Sequence, residues 1–443
     1  MELNGISEFR KELEIINSFQ TKMISILSCD ESQVSQMKQV YELLNFFEEI
    51  TISQNFSLYE AFLRILVHLS IYFNFPETKV EVIYLKRQEI FSLILKELIF
   101  KHSLKTSFHQ FSLFVIFKSN KHFLLFLFEE GIFDISFMLK KISFFRDKNL
   151  FLFFIPEIQI MNPKFYENLK KQFKLTEEDI KNEYLKIYGE KEEEEKRNYT
   201  EIRRKIHSQE ELAKIIQSDV VNDFISFISK NSNFDLNSRI RPSFLENNPD
   251  INNDNEGISV LEYSMAFGSI NVFRYLWIKK VKYSKNSLKY CLIGNHYEIL
   301  HLLEEDEKEE SQIEFDDNNY RKSIEYYHPE IIEYFSNFNY INHSNKINDS
   351  TLFSFINIFS QTYNVEILNY FFLQNEISQF SPITESQYFS TSNHFNSTFD
   401  INTILFDVIN FQQSPFYFVY NFLLKQTNID INFHDSILIL VNS

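Results

Sequence analysis

His296, Glu298 and His301 are the residues whose types most directly suggest chemistry. The zinc-hydrolase helix motif places two histidines four residues apart with a glutamate beside the first, so that both rings share one helix face. Here the histidines are five apart, which turns them about 140° from each other on an ideal helix. They are expected to be turn and surface histidines. Asp250, Asn252, Asp254 and Glu256 supply the opening oxygens of a calcium loop. Such a loop needs Gly sixth and Glu twelfth, and those places hold Asn255 and Leu261. A loop leading into a helix is the expectation instead. The acidic run 304–310 is expected to solvate a loop. Cys291 and Cys29 are too few for a disulfide framework or a zinc site. Cys291 falls at a helix-contact position and reads as a small buried apolar residue. The nucleophile elbow, the phosphate loop and the dinucleotide fingerprint are all absent from the sequence. No catalytic, cofactor-binding or metal-ligating residue is therefore assigned, no cofactor is expected, and the chain is expected not to be an enzyme. The rival expectation is a hydrolase in the N-terminal half. It requires two or more of His68, His102, His109 and His122 to meet carboxylates in one cleft.

Composition narrows the classes further. The 443 residues carry a formal charge of −17, with 44% hydrophobic and 24% charged residues. Apolar content is ample for a packed core. The acidic balance argues against nucleic acid, which needs a basic face to release counterions, and against adhesion to an anionic membrane. The abundant aromatics, 50 Phe and 23 Tyr, are expected mostly in the core. The charged N-terminal residues lack a following apolar run, so no secretory leader is expected. Its apolar runs are too short or too often broken by lysine for a span of about 20 residues, so no membrane insertion is expected. The reading is an intracellular, cytoplasmic protein.

The elements that must position any site read as helices. Val34, Met37, Tyr41, Leu44 and Phe47 recur at steps of three and four, as do Leu58, Phe62, Ile65, Leu66, Leu69 and Phe73, and Ile90, Phe91, Ile94, Leu95, Leu98 and Ile99. The segment 111–130 is apolar nearly all round and reads as a buried helix pair with a turn near Ser119 and Asn120. Strand is the alternative there because of its Phe content. The run 191–197 reads as a solvated helical face.

The second half repeats itself. Leu261, Tyr263, Val272, Phe273 and Leu276 align with Leu288, Tyr290, Ile299, Leu300 and Leu303, and a third copy runs over 320–335; the offsets are 27 and 32 residues. Each unit reads as a short helix, a polar turn (Gly268-Ser269, Asn295-His296, Tyr327-His328-Pro329) and a second short helix. A lone hairpin of this kind cannot cover its apolar faces, and stacking on neighbours does so.

With Gly257, Leu261 and Gly268 at the consensus spacing and Ser259-Val260 where Thr-Pro is usual, this segment resembles an ankyrin repeat. The tail 403–432, closing on Ile429-Asp430-Ile431-Asn432, resembles another. Phe117 to Asn120 with 124–130, and 223–228 with 233–237, are similar to a large parabasalid protist family of ankyrin-like proteins that carry a domain of unknown function. The likeness covers roughly residues 90–440. It implies an ankyrin-like fold and a protein-interaction role. The sequence departs from the repeat pattern where Ser264, Met265, Cys291 and Leu292 replace the small helix-pairing alanines. Larger side chains there push helices apart or force repacking.

The resulting expectation is an all-α chain in which an N-terminal helical domain (1–155) continues through a charged helical connector (156–216) into an ankyrin-like helix-hairpin solenoid (217–443). The best units are 257–283, 284–310, 316–340 and 400–432, and the array is expected to open with the helix around 219–229. The expected function is a protein–protein interaction scaffold of unidentified partner; a purely structural, self-assembling role is a second rival. The candidate binding face is Glu262, Tyr263, Phe267, Lys289, Tyr290 and Ile293, placed outward on the first helix of each unit.

Overall fold

Asn120 closes one helix and opens the next: its side-chain oxygen accepts the Phe123 N–H at 3.0 Å, the standard way to satisfy an orphan donor at a helix start. That junction splits 111–130 into two helices and rules out strand there. The computed structural model describes residues 5–29, 33–73, 80–188, 203–231, 233–252, 256–306, 317–337, 358–359, 362–369 and 417–425. The run 191–197 and most of 400–432 lie outside them.

The described chain is almost entirely helical. In order come α1 (Ile6–Leu27), α2 (Gln33–Glu49), α3 (Phe56–Tyr72), α4 (Val80–Phe100), α5 (Leu104–Ser107), α6 (Gln110–Phe117) and α7 (Lys121–Glu129). Then follow α8 (Ile135–Phe145), α9 (Lys148–Met161), α10 (Pro163–Phe173), α11 (Glu177–Tyr188), α12 (Glu211–Gln217) and α13 (Val221–Lys230). After the antiparallel pair β1 (Arg239–Ile240) and β2 (Ile258–Ser259) come α14 (Val260–Ala266), α15 (Ile270–Ile278), α16 (Leu288–Ile293) and α17 (Tyr297–Asp306). The last are α18 (Asp317–Glu325), α19 (Pro329–Asn337), α20 (Glu366–Asn369) and α21 (Tyr417–Leu424).

These elements form two compact units, 1–66 with 339–443, and 67–338. The division does not follow the expected boundaries at 155 and 216. In the first unit α1 packs against α2, α20 and α21. Phe9 stacks on Phe422 at 4.2 Å, and the buried Gln20 amide donates to Asn364 Oδ1 at 2.7 Å while its oxygen accepts Val365 N–H at 2.8 Å. Side chains some 340 positions apart carry this contact, so no local periodicity announces it.

In the second unit α9 holds the N-terminal helices together. Its Pro156 lies inside the helix and cannot donate back to the Leu152 carbonyl. Tyr184 Oη donates to that oxygen at 2.6 Å instead. One turn on, Arg203, only 1% exposed, donates to Phe153 O at 2.8 Å and grips both oxygens of Glu157 at 2.6 Å.

From α12 onward the helices pair: α12 with α13, α14 with α15, α16 with α17, α18 with α19. The first helices touch in series, α12 to α14 to α16 to α18, and the second helices likewise, α13 to α15 to α17. Each pair turns on one left-handed residue: Asp219 (φ 51°), Gly268 (φ 61°), Asn295 (φ 48°) and Tyr327 (φ 60°). The last three recur at the offsets of 27 and 32 residues seen in the sequence. The first pair includes α12, which the expected boundaries assigned to the connector.

The last three turns also dock on the preceding pair. Ser269 Oγ donates to Ile216 O at 2.6 Å, at the end of α12. Gly294 lies so close to Met265 O and Gly268 N that any Cβ would overlap them. The His328 ring meets the carbonyls of Leu292 and Ile293 at the end of α16. Asp219 accepts the Val272 N–H at 3.0 Å, capping α15 from the neighbouring pair.

Candidate functional site

The six residues of the candidate face lie on or beside α14 and α16, but four of them do not point outward. Tyr263, Phe267, Tyr290 and Ile293 are buried. Tyr263 Oη accepts from Gln217 Nε2 at 2.6 Å, and Phe267 meets the edge of the His207 ring at 4.9 Å. Glu262 completes a capping box with Ser259 and accepts Ser287 Oγ–H at 2.8 Å, tying α14 to the turn before α16. Lys289 lies 4.9 Å over the Tyr290 ring and 3.6 Å from Asp250. The outward placement is corrected for these four. The face exists, but the chain itself covers part of it.

The segment 241–252 between β1 and β2 reaches the same series of first helices, with Asp250 beside Lys289 on α16 and Lys322 on α18. Gly257, at φ 79°, lets the chain return: a Cβ there would overlap the Ile240 carbonyl. Phe244, Leu245 and Ile251 are buried, and the polar residues between them are held by charged partners on both sides. Toward α7, the buried Lys121 Nζ donates to Glu246 O at 2.7 Å, its N–H to Asn247 Oδ1 at 3.2 Å, and the Asn247 amide meets His122 Nδ1 at 2.9 Å. The Glu246 carboxylate accepts Asn248 N–H at 2.8 Å and meets His207 Nδ1 at 2.7 Å. Toward α18, Lys322 Nζ lies 2.6 Å from Asp250 and 2.7 Å from Glu325, and Tyr326 Oη shares its hydrogen between Asp250 and Asn248 at 2.9 and 3.0 Å.

Burial and pairing compete at these groups. Burial pushes the Lys121 ammonium down to about 8, against the opposing pull of Asp147 and Glu246. Burial alone would raise the Asp250 and Glu246 carboxyls. Lys322 and Lys289 outweigh it at Asp250, as do His207, the Asn248 N–H and Lys121 at Glu246, and both carboxyls are held below their usual range. Buried charges satisfied in this way fix a segment in place. Asp250→Asn keeps the shape and removes the charge facing Lys322, which retains Glu325. A loss of about 2 kcal/mol is expected, read as a lower urea midpoint at unchanged m-value.

The remaining chemistry-bearing residues are dispersed. Asp250 is held by lysines and Asn252 Oδ1 accepts Ser243 N–H at 2.9 Å, so neither is arranged as a calcium ligand. Burial raises the Cys291 thiol far above its ordinary value, leaving it little thiolate character. His301 Nδ1 faces Glu304 at 3.3 Å, while His296 lies in the turn before α17. Among the described residues, His68 meets Tyr327 Oη at 2.8 Å, His109 caps α6 and His122 faces Asn247. These three contacts do not join His68, His109 and His122 to one another. Glu246, Asn247, Lys322 and His207 have no local signal in the sequence, since each finds its partner dozens to more than a hundred residues away. Only Asp250 stood out, and for a different chemistry.

The chain matches no family model, no curated protein and no solved structure. Among the described residues, no helix is long and apolar enough to cross a membrane.

Proposed function

We propose that this chain is a non-enzymatic protein-interaction scaffold acting inside the cell, and that 211–337 forms an ankyrin-like solenoid of helix hairpins. One observation carries the reading: four consecutive hairpins, each turning on a left-handed residue, with the second to fourth docked by their turns on the preceding pair. Pre-ordered repeats lose little conformational entropy on binding, which suits them to recognition. Since 241–252 and His207 cover part of the first-helix face, the partner surface is assigned to the second helices and the turns that follow them. Ile278 is 77% exposed there, beside Trp277 and Tyr283, whose rings lie 5.5 Å apart. Trp and Tyr side chains are favoured binding anchors, and both are half-buried here.

Proximity labelling in the native cell, followed by reconstitution with the purified partner, tests this. Ile278→Asp is expected to weaken the complex about tenfold or more while leaving the far-UV circular dichroism unchanged. If every reconstituted complex is indifferent to Ile278→Asp and Trp277→Ala, the second-helix surface is not the binding face. Catalytic turnover by the purified chain would replace the scaffold reading altogether.

A further inference from the structure

A second surface lies far from the hairpin series in sequence, where α6 and α8 meet. Phe144 is 73% exposed, Phe111 39% and Phe145 38%. They form one cluster: Lys141 Nζ lies 4.1 Å from the centre of the Phe111 ring and 5.9 Å from that of Phe144, Phe144 and Phe145 meet at 5.0 Å, and Lys118 lies 5.4 Å over Phe145. Lys140 and Arg146 are exposed on the same helix end. Among the described residues none of Lys118, Lys140, Lys141 and Arg146 has a carboxylate within ion-pair distance. Arg64, Arg203 and Lys322 elsewhere in the chain are paired with carboxylates.

We propose that this Phe111–Phe144–Phe145 corner, with its four cations, docks the protein on an anionic lipid surface. The charge is complementary to that surface, and the rings decide between it and an acidic protein. Phenylalanine offers no hydrogen bond, and the helical backbone beneath is already satisfied, so the corner has little with which to read a peptide. A bilayer interface asks for no directional partner. It takes up apolar side chains at the headgroup boundary while lysine and arginine remain among the phosphates. The whole-chain charge of −17 opposes such contact. Screening over roughly 8 Å at physiological salt removes most of the effect of charges beyond the corner. Contact here is peripheral and requires no spanning helix. It is independent of the scaffold reading.

The test is co-sedimentation of the full chain with vesicles of phosphatidylcholine, with and without about one-third phosphatidylserine. Binding is expected only to the anionic vesicles, weakening as salt rises from about 0.1 to about 0.5 M. Lys140→Gln and Lys141→Gln are each expected to weaken it about fivefold, and Phe144→Ser about tenfold or more. Ile160→Ser, at an exposed apolar residue on α9, serves as the control and is expected to change nothing. These exposed positions leave the fold intact, which the circular dichroism of each variant checks. Equal partition onto neutral and anionic vesicles, no binding to either, or indifference to Phe144→Ser would overturn the proposal. So would retention by an immobilised poly-glutamate peptide that is lost with the same substitutions while the vesicles fail to bind.

Discussion

Gly294→Ala is expected to lower the unfolding free energy by about 3 kcal/mol, at the upper end of what overpacking a close contact costs. Its backbone angle is ordinary (φ −78°), so conformational freedom is not the reason. The reason is proximity: an added Cβ would overlap Met265 O and crowd Gly268 N, both backbone atoms of the preceding hairpin. A flexible side chain could swing away, but these atoms cannot move without shifting the whole α14–α15 pair. The cost therefore falls on the joint between two hairpins. Urea unfolding followed by circular dichroism would measure it. Hydrogen exchange would locate it, with protection falling in α14 and α16 more than in α1 and α2. A loss below about 0.5 kcal/mol, typical of a surface substitution, would show that the two pairs do not press on each other at this point.

The same joint shows how far a sequence can be read. The offsets of 27 and 32 residues and the polar turns at Gly268, Asn295 and Tyr327 were legible because a left-handed turn residue and an apolar stripe are local features. The split at Asn120 was legible for the same reason. What lay hidden was long-range cover. Periodicity places Tyr263 and Tyr290 on a helix face, but nothing local says that Gln217, His207 and the 241–252 segment stand against that face. It reads Asp250 as a loop carboxylate but cannot see Lys322, 72 positions away. Pro156 removes a helix donor, and nothing local shows that Tyr184 supplies one to the Leu152 carbonyl, 32 positions from it in the sequence. The α12–α13 hairpin was missed by half because 49 residues separate its turn from the next, and the inserted segment breaks the spacing that marks the others.

Acid is expected to unfold the protein well before its carboxylates are neutralised, through two buried histidines. Burial pushes the His68 imidazole down to about 3, with Lys322 adding to the effect, and burial pushes His328 down to about 4. In the unfolded chain each titrates near 6.5. Above that value both states are neutral and neither histidine affects stability. As pH falls through it, the unfolded chain takes up a proton that the folded chain refuses, so stability is lost down to the folded values near 3 and 4. The loss is about 1.4 kcal/mol per histidine per pH unit, or about 4 kcal/mol for the pair at pH 5. That is a large part of the 5–15 kcal/mol usual for a folded protein. His68 lies between Tyr72, stacked at 4.3 Å, and Tyr327 Oη at 2.8 Å. At His328 the Ile293 and Leu292 carbonyls pull the other way, and burial outweighs them. Urea titrations at pH 7.5 and 5.0 would read the difference. His68→Gln keeps a partner for Tyr327 and removes the titration, so it is expected to shrink that difference by about 2 kcal/mol. His328→Gln should do the same at the joint between α16 and α18. An unaltered pH difference in both variants would place the acid sensitivity elsewhere. His122, which burial also pushes down to about 4, would then be the next group to test.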